Sequence, residues 1–188
     1  MAEARFAVHD TPLAGLKRVV RTRIGDTRGF LSRLYCAGEL AAAGFTAPVA
    51  QINHTLTRAT GSIRGLHFQH PPYAEDKFVS VLAGAVFDVA IDLRAGSPTF
   101  LHWHGEHLSA DNATSLFIPK GFAHGFQTLT ADCELLYLHT APYAAGAEGG
   151  LNPLDPRLAI AWPLAITEIS ARDRGHPLLT PDFTGIPS

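Results

Sequence analysis

The stretch RGLHFQH at residues 64–70 brings Arg64, His67, Gln69 and His70 into seven positions. Those residue types suit three arrangements: a metal site, an acid–base centre with charged helpers, or an ordinary strand with a polar face. If the stretch is a strand, His67 projects to the face opposite Arg64 and Leu66. A single histidine there reads plainly as a partly buried ring satisfied by hydrogen bonds. Lys77 shares strand parity with Val79 and Val81, an odd place for a solvated lysine. Its ordinary reading is a strand-end residue whose stem runs along apolar surface to water.

Four further residues or groups have types suited to chemistry. In PKGFAHGF (119–126), Pro119 and Gly121 fix a tight turn and His124 enters the strand beyond it. Tyr137 lies in the apolar stretch CELLYLHT (133–140), where a buried ring with a bonded hydroxyl is common. In HWHGEH (102–107), His102, His104 and Glu106 share a face and His107 does not, which reads as the polar outer face of a strand. Asp173, in SARDRGH near the end of the chain, reads by default as a solvent-exposed charge.

The elements that must position these groups are mostly strands. In AVFDVAIDL (85–93), Phe87, Val89, Ile91 and Leu93 alternate with Asp88, Ala90 and Asp92, which predicts a half-buried strand with its apolar face inward. KFVSVL (77–82) precedes it, and Ala83-Gly84 between them reads as a hairpin turn. LHWHGEHLS (101–109), ATSLFIP (113–119) and CELLYLHT continue the series from about residue 16 to 140. Short strands at this spacing indicate an all-β sandwich or barrel. Helical pattern is confined to short pieces near residues 38–45 and 167–173. The expected unit is a single domain, 1–188, with a C-terminal segment from about 141 to 188 folded back over the barrel.

Composition excludes several classes. The chain has 188 residues, 46% hydrophobic and 17% charged, so it is globular rather than disordered. A formal charge of -2 gives no electrostatic reason to bind nucleic acid or an anionic membrane. No apolar run reaches the roughly 18 residues of a membrane span. The start, MAEARFAVHD, lacks the basic and apolar regions of a signal peptide. Cys36 and Cys133 are far apart and read as reduced thiols of a cytoplasmic protein.

The P-x-G-x-x-H spacing ending at His124 resembles the second motif of cupin barrels. A metal-dependent cupin, a dioxygenase or isomerase, would use His67, His70 and His124. His67 and His70 are three apart, however, which puts them on opposite strand faces, and no glutamate follows in place.

A longer set of motifs carries a more specific resemblance. GDTRGF (25–30), QINHT (51–55), GSIRGLHFQHPP (61–72), DKFVSV (76–81), GAVFDVAIDLRAGSPTF (84–100), LFIPKGFAHGF (116–126) and LLYLHTAPY (135–143) together resemble the dTDP-4-dehydrorhamnose 3,5-epimerase family. The resemblance implies a cupin-like jelly-roll barrel, or double-stranded β-helix, that pairs as a homodimer through N-terminal strands. It implies no metal and no other cofactor, and a nucleotide-diphosphate sugar substrate, dTDP-linked. Carried over position by position, it makes His67 the general base, Asp173 its carboxylate partner, Tyr137 the proton donor on the other face of the sugar, and Lys77 the cation beside the enolate. Arg28, Gln51, Asn53, Arg64, His124, Glu148 and Arg172 fall at substrate-contacting positions, with Arg172 where a lysine is usual.

The chain departs from the family's pattern in four places. RGFLSR (28–33) puts Arg33 where a glutamate contacts the nucleotide base. Ser80 replaces an arginine, Leu138 a lysine, and GLNPLDP (150–156) lacks a tryptophan. These changes leave open the sugar, the nucleotide, and whether C3, C5 or both are inverted. A non-catalytic nucleotide-sugar-binding cupin is the other reading they permit.

The implied chemistry suits the residues. A ketone at C4 acidifies the protons on C3 and C5, and a neutral imidazole is a suitable base near pH 7. A carboxylate on its other nitrogen fixes the tautomer. A lysine aimed at the enolate oxygen is commonly worth several kcal/mol. Strand parity would separate Arg64 from His67, so either a bend, with Gly65 as the flexible point, or the long reach of the arginine is expected to bring them together.

Overall fold

Alternating and wholly apolar runs pair into strands along most of the chain. β1 (Phe6–Asp10), β2 (Lys17–Arg21), β3 (Arg23–Asp26) and β4 (Gly29–Ser32) precede a one-turn helix, α1 (Ala37–Leu40), and a 3-10 turn. β5 (Gln51–Thr57), β6 (Ser62–Gln69), β7 (Lys77–Ala83), β8 (Ala85–Asp92), β9 (Trp103–Ser109), β10 (Thr114–Ile118), β11 (Phe122–Thr128) and β12 (Cys133–His139) follow. β13 (Glu148–Gly150), β14 (Glu168–Ile169) and α2 (Ala171–Arg174) complete the order. The computed structural model describes residues 4–187, so residues 1–3 and 188 of the expected unit lie outside the described residues. Among the described residues no helix is long and apolar enough to cross a membrane.

The strands form two sheets. One has the order β1-β2-β10-β7-β12-β5, the other β13-β6-β11-β8-β9 with β14 parallel to β6. They face each other as a cupin-like jelly roll, in line with the all-β expectation. Val79, Val81, Val86, Ala90, Leu116 and Leu135 close the space between the sheets. Each of these valines and leucines, once buried, contributes ~1.5–3 kcal/mol. Outside the first sheet, Phe45, Phe78, Phe117 and Leu138 form a separate cluster.

Two expectations about the strands are corrected. β7 and β8 are not a hairpin: β7 pairs with β10 and β12, and β8 with β9 and β11. Gly84, at φ 73°, carries the chain from one sheet to the other, close against Cys133 and Thr130. Nor is β8 half-buried with its apolar face toward the barrel. Val89, Ile91 and Leu93 lie outside the barrel, covered by Leu151, Leu158, Leu179 and Ile186 of the C-terminal segment. Asp88 sits on the barrel side with Val86 and Ala90 and is wholly buried.

Candidate active site

β6 is irregular where it has to be. Its register with β11 shifts: His67 faces His124 and Arg64 faces Phe126, so the step of three on β6 matches a step of two on β11. The extra residue reverses parity, and Arg64 and His67 come to line one cavity of about 310 Å³. Gly65 makes this possible. It sits at φ 116°, and a Cβ there would lie 2.7 Å from Gly125 Cα and from the His124 carbonyl. The bend expected at Gly65 is therefore present.

The His67 ring is held from the C-terminal segment. Ser170 caps α2 by accepting the Asp173 N–H at 3.0 Å. The Asp173 carboxylate, only 3% exposed, turns back to β6. Its Oδ1 is 2.9 Å from His67 Nε2 and its Oδ2 accepts the Gly65 N–H at 3.1 Å. The default reading of Asp173 as solvent-exposed is thus overturned. Burial alone would raise this carboxyl, but the bonds from His67 and Gly65 outweigh it and hold the group well below the usual carboxylate range. An ionised Asp173 takes a proton on Nε2, which leaves Nδ1 with the lone pair. Arg172 Nη2 is also 3.1 Å from Nε2. Both cannot be donors to each other, so we assign the Nε2 proton to the carboxylate. The guanidinium's bonds run instead to Asp173 Oδ1 at 3.3 Å and Glu148 Oε1 at 3.2 Å.

The opposite wall belongs to the other sheet. Tyr137 on β12 lines the cavity, stacked on His139 with ring centroids 6.0 Å apart and edge-on to His124. Burial, and then the nearby Asp88 charge, push its phenol well above its ordinary range, so it is protonated at neutral pH. His124 Nε2 is held by both Asp88 oxygens at 3.0 and 2.9 Å. Lys77 does not reach toward water. It is 7% exposed, and its Nζ donates to the His67 carbonyl at 3.1 Å and pairs with Glu75 at 3.2 Å.

The remaining expected residues divide. Asn53, Arg64, His124, Glu148 and Arg172 line the cavity. Gln51 stands just behind it and donates to Asn53 Oδ1 at 3.0 Å. Arg28 and Arg33 do not line the cavity: Arg28 pairs with Asp26 and Arg33 with Glu39, on or beside the β3–β4 hairpin. That hairpin joins neither main sheet. Ser80 and Leu138, two of the altered positions, face away from the cavity. Ser80 bonds Ser115 and Leu138 joins the outer cluster. His70 is exposed and rests on Phe68 at 5.0 Å, so His67, His70 and His124 do not converge as metal ligands. His102 precedes edge strand β9. His104 pairs with Glu106 at 3.3 Å, but the two stand opposite Ala90 and Asp88 and share the face of Leu108, so they lie on the barrel side of the sheet and the reading of this stretch as a polar outer face is corrected.

Sequence reasoning missed Glu75, Tyr143 and His139. His139 lies two residues beyond Tyr137 on the same strand, so parity alone could have placed it on the cavity wall. Burial, and then Lys77 and His124, push its pKa down to about 4, so it is neutral at pH 7. Glu75 and Tyr143 lie outside the strands and had no comparable signal.

A family model described as dTDP-4-dehydrorhamnose 3,5-epimerase matches residues 10–181. The chain is 40% identical over 168 residues to a dTDP-4-dehydrorhamnose 3,5-epimerase of Sinorhizobium fredii, covering 89% of this chain and 86% of that protein. It is similar to the crystal structure of dTDP-4-dehydrorhamnose 3,5-epimerase from Bacillus anthracis with TDP and PPi bound, with TM-score 0.89 and 41% identity over 93% of this chain and 99% of that one. A second similar structure is dTDP-6-deoxy-D-glucose-3,5-epimerase from Legionella pneumophila in complex with dTDP-4-keto-L-rhamnose, with TM-score 0.88 and 40% identity over 92% of each chain.

Proposed function

The chain belongs to the dTDP-4-dehydrorhamnose 3,5-epimerase family of isomerases, and on that premise we propose that it inverts C3, C5 or both of a dTDP-4-keto-6-deoxyhexose through an enolate. The observation that carries this is the placement of His67 and Tyr137 on opposite walls of one cavity. His67 Nδ1 removes the proton next to the ketone, while Asp173 steadies the imidazolium. The Lys77 ammonium stabilises charge on the C4 oxygen. Tyr137 returns a proton from the other side of the ring, which is what inversion requires. No step needs a metal or a redox cofactor. In deuterated water the enzyme should place deuterium at C3, C5 or both of such a substrate. Binding of the nucleotide sugar with no incorporation would select the non-catalytic reading instead.

Arg64 and Arg172 are suited to the diphosphate by forked hydrogen bonds. Arg28 and Arg33 are read as serving a second copy. Ile24, Phe30 and Leu31 on their hairpin are exposed at 46, 61 and 71%, an apolar face that a homodimer would cover. Sedimentation should give a dimer, and Phe30→Asp should shift it toward monomer; a monomeric wild type refutes this reading. The chain is read as one unit, since the C-terminal segment supplies both Asp173 and the cover over β8. A cytoplasmic place in deoxysugar synthesis, for surface rhamnose or a related sugar, fits the substrate class and the two free thiols.

A further inference from the structure

Beside His67 and Asp173 stands a third titratable side chain that the epimerisation scheme does not use. His176 follows α2 and lines neither the 310 Å³ cavity nor the adjoining one of about 340 Å³ that reaches Asp173. Its ring lies edge-on to His67, with centroids 6.0 Å apart. It packs so tightly on Gly150 that a Cβ there would fall 2.2 Å from His176 Nε2. That Nε2 is buried with no hydrogen-bond partner, the kind of orphaned polar atom that calls for an explanation. Among the described residues, His67, Asp173 and His176 form the group of three whose ligand atoms all lie within 4.8 Å of one another.

We propose that His67, Asp173 and His176 form an inhibitory site for a borderline divalent transition metal such as Zn²⁺. Two imidazoles and a carboxylate are ligands that zinc prefers, while magnesium and calcium favour all-oxygen sets. Donors around a tetrahedral zinc with ~2.0–2.1 Å bonds stand ~3.4 Å apart, so the present spacing has to contract by at most ~1.5 Å. The adjoining cavity, lined by His67, Ser170, Arg172 and Asp173, brings the ion to two of its three ligands, the His176 ring has to turn to meet it, and water can complete the shell. The ion has one opponent. The Arg172 guanidinium beside His67 Nε2 repels a cation and has to swing out, which its 57% exposed side chain permits.

The inhibitory effect follows from the tautomer. A metal on Nε2 displaces the proton now directed at Asp173, and in a neutral imidazole that proton moves to Nδ1. Nδ1 then has no lone pair with which to take a proton from the sugar. This half of the inference rests on the proposed role of His67; the binding half does not.

Zn²⁺ titrated into the whole protein by calorimetry, in a non-chelating buffer, should bind once per chain, with Mg²⁺ giving no heat. Deuterium exchange into a dTDP-4-keto-6-deoxyhexose should fall in parallel and recover with EDTA. His176→Gln and His176→Ala should each weaken zinc binding at least ~10-fold while zinc-free exchange stays near the wild-type rate. Arg172→Ala should tighten zinc binding several-fold. Zinc affinity unchanged by both His176 variants, or no stoichiometric binding at all, overturns the site. Zinc binding that depends on His176 but leaves exchange untouched overturns the inhibition and counts against His67 as the base, while the ligand set stands.

Discussion

Replacing Asp173 by asparagine changes few atoms but should disable the base, and the geometry says why. Asp173 Oδ2 accepts the Gly65 N–H at 3.1 Å, and that buried donor needs an acceptor. Asparagine can satisfy it only by turning its carbonyl oxygen to Gly65. The reverse rotamer sets two donors against each other and costs about 1–3 kcal/mol, so it is populated roughly 5- to 150-fold less. The amide NH₂ therefore occupies the place of Oδ1, 2.9 Å from His67 Nε2, and must donate to it. Nε2 becomes an acceptor and the ring proton moves to Nδ1, where the substrate's proton has to go. Where the carboxylate of another catalytic His–Asp pair is replaced by its amide, the tautomer error costs ~10⁴ in rate, about 5 kcal/mol in barrier. Exchange of the C3 and C5 protons read by NMR gives the rate, and ¹⁵N shifts of the His67 ring give the tautomer directly. Thermal unfolding should show the variant folded. An Asp173→Asn enzyme within tenfold of wild type, or one with Nε2 still protonated, refutes the assignment of Nδ1 as base.

Other expectations follow from the same geometry. Tyr137→Phe removes the donor but not the base, so the substrate should still exchange its proton while inverted product forms at least ~10²-fold more slowly; equal loss of both rules out separate roles. His139 is held neutral by burial and by Lys77 and His124, with a pKa of about 4 against 6.5 for the free side chain. Between those values the unfolded chain binds the extra proton, so stability is full above pH 6.5 and falls as pH drops toward 4, by on the order of 3 kcal/mol. The denaturation midpoint of His139→Gln should lose that part of its pH dependence; a profile parallel to wild type contradicts it.

What was legible in the sequence was local. Period-two alternation located β8, and the turn residues bounded it. Alternation could not say which face met the barrel, because both faces are covered: one by the facing sheet, the other by residues 60 or more positions downstream such as Leu151 and Leu158. Ala83-Gly84 reads as a hairpin turn because a crossover between facing sheets has the same local chemistry as a turn within one. The parity conflict around Gly65 is legible in the sequence, but not its solution: a bend or the reach of Arg64 would each bring it to the cavity of His67, and the register shift between β6 and β11 decides for the bend. Asp173 was identifiable only through family resemblance. Nothing in SARDRGH marks it as buried, and its burial comes from docking of α2 onto β6, 106 positions from His67. Arg28 and Arg33 likewise fall on a hairpin that a single chain does not bring to its own cavity.

The central claim, that one imidazole on β6 removes the proton next to the ketone, is tested most directly by His67→Asn. Its C3 and C5 protons should be followed in deuterated water at saturating dTDP-4-keto-6-deoxyhexose. The expected result is exchange slowed at least ~10³-fold at every carbon the wild type exchanges, with thermal stability and nucleotide-sugar binding retained. Exchange near the wild-type rate at either carbon contradicts the account.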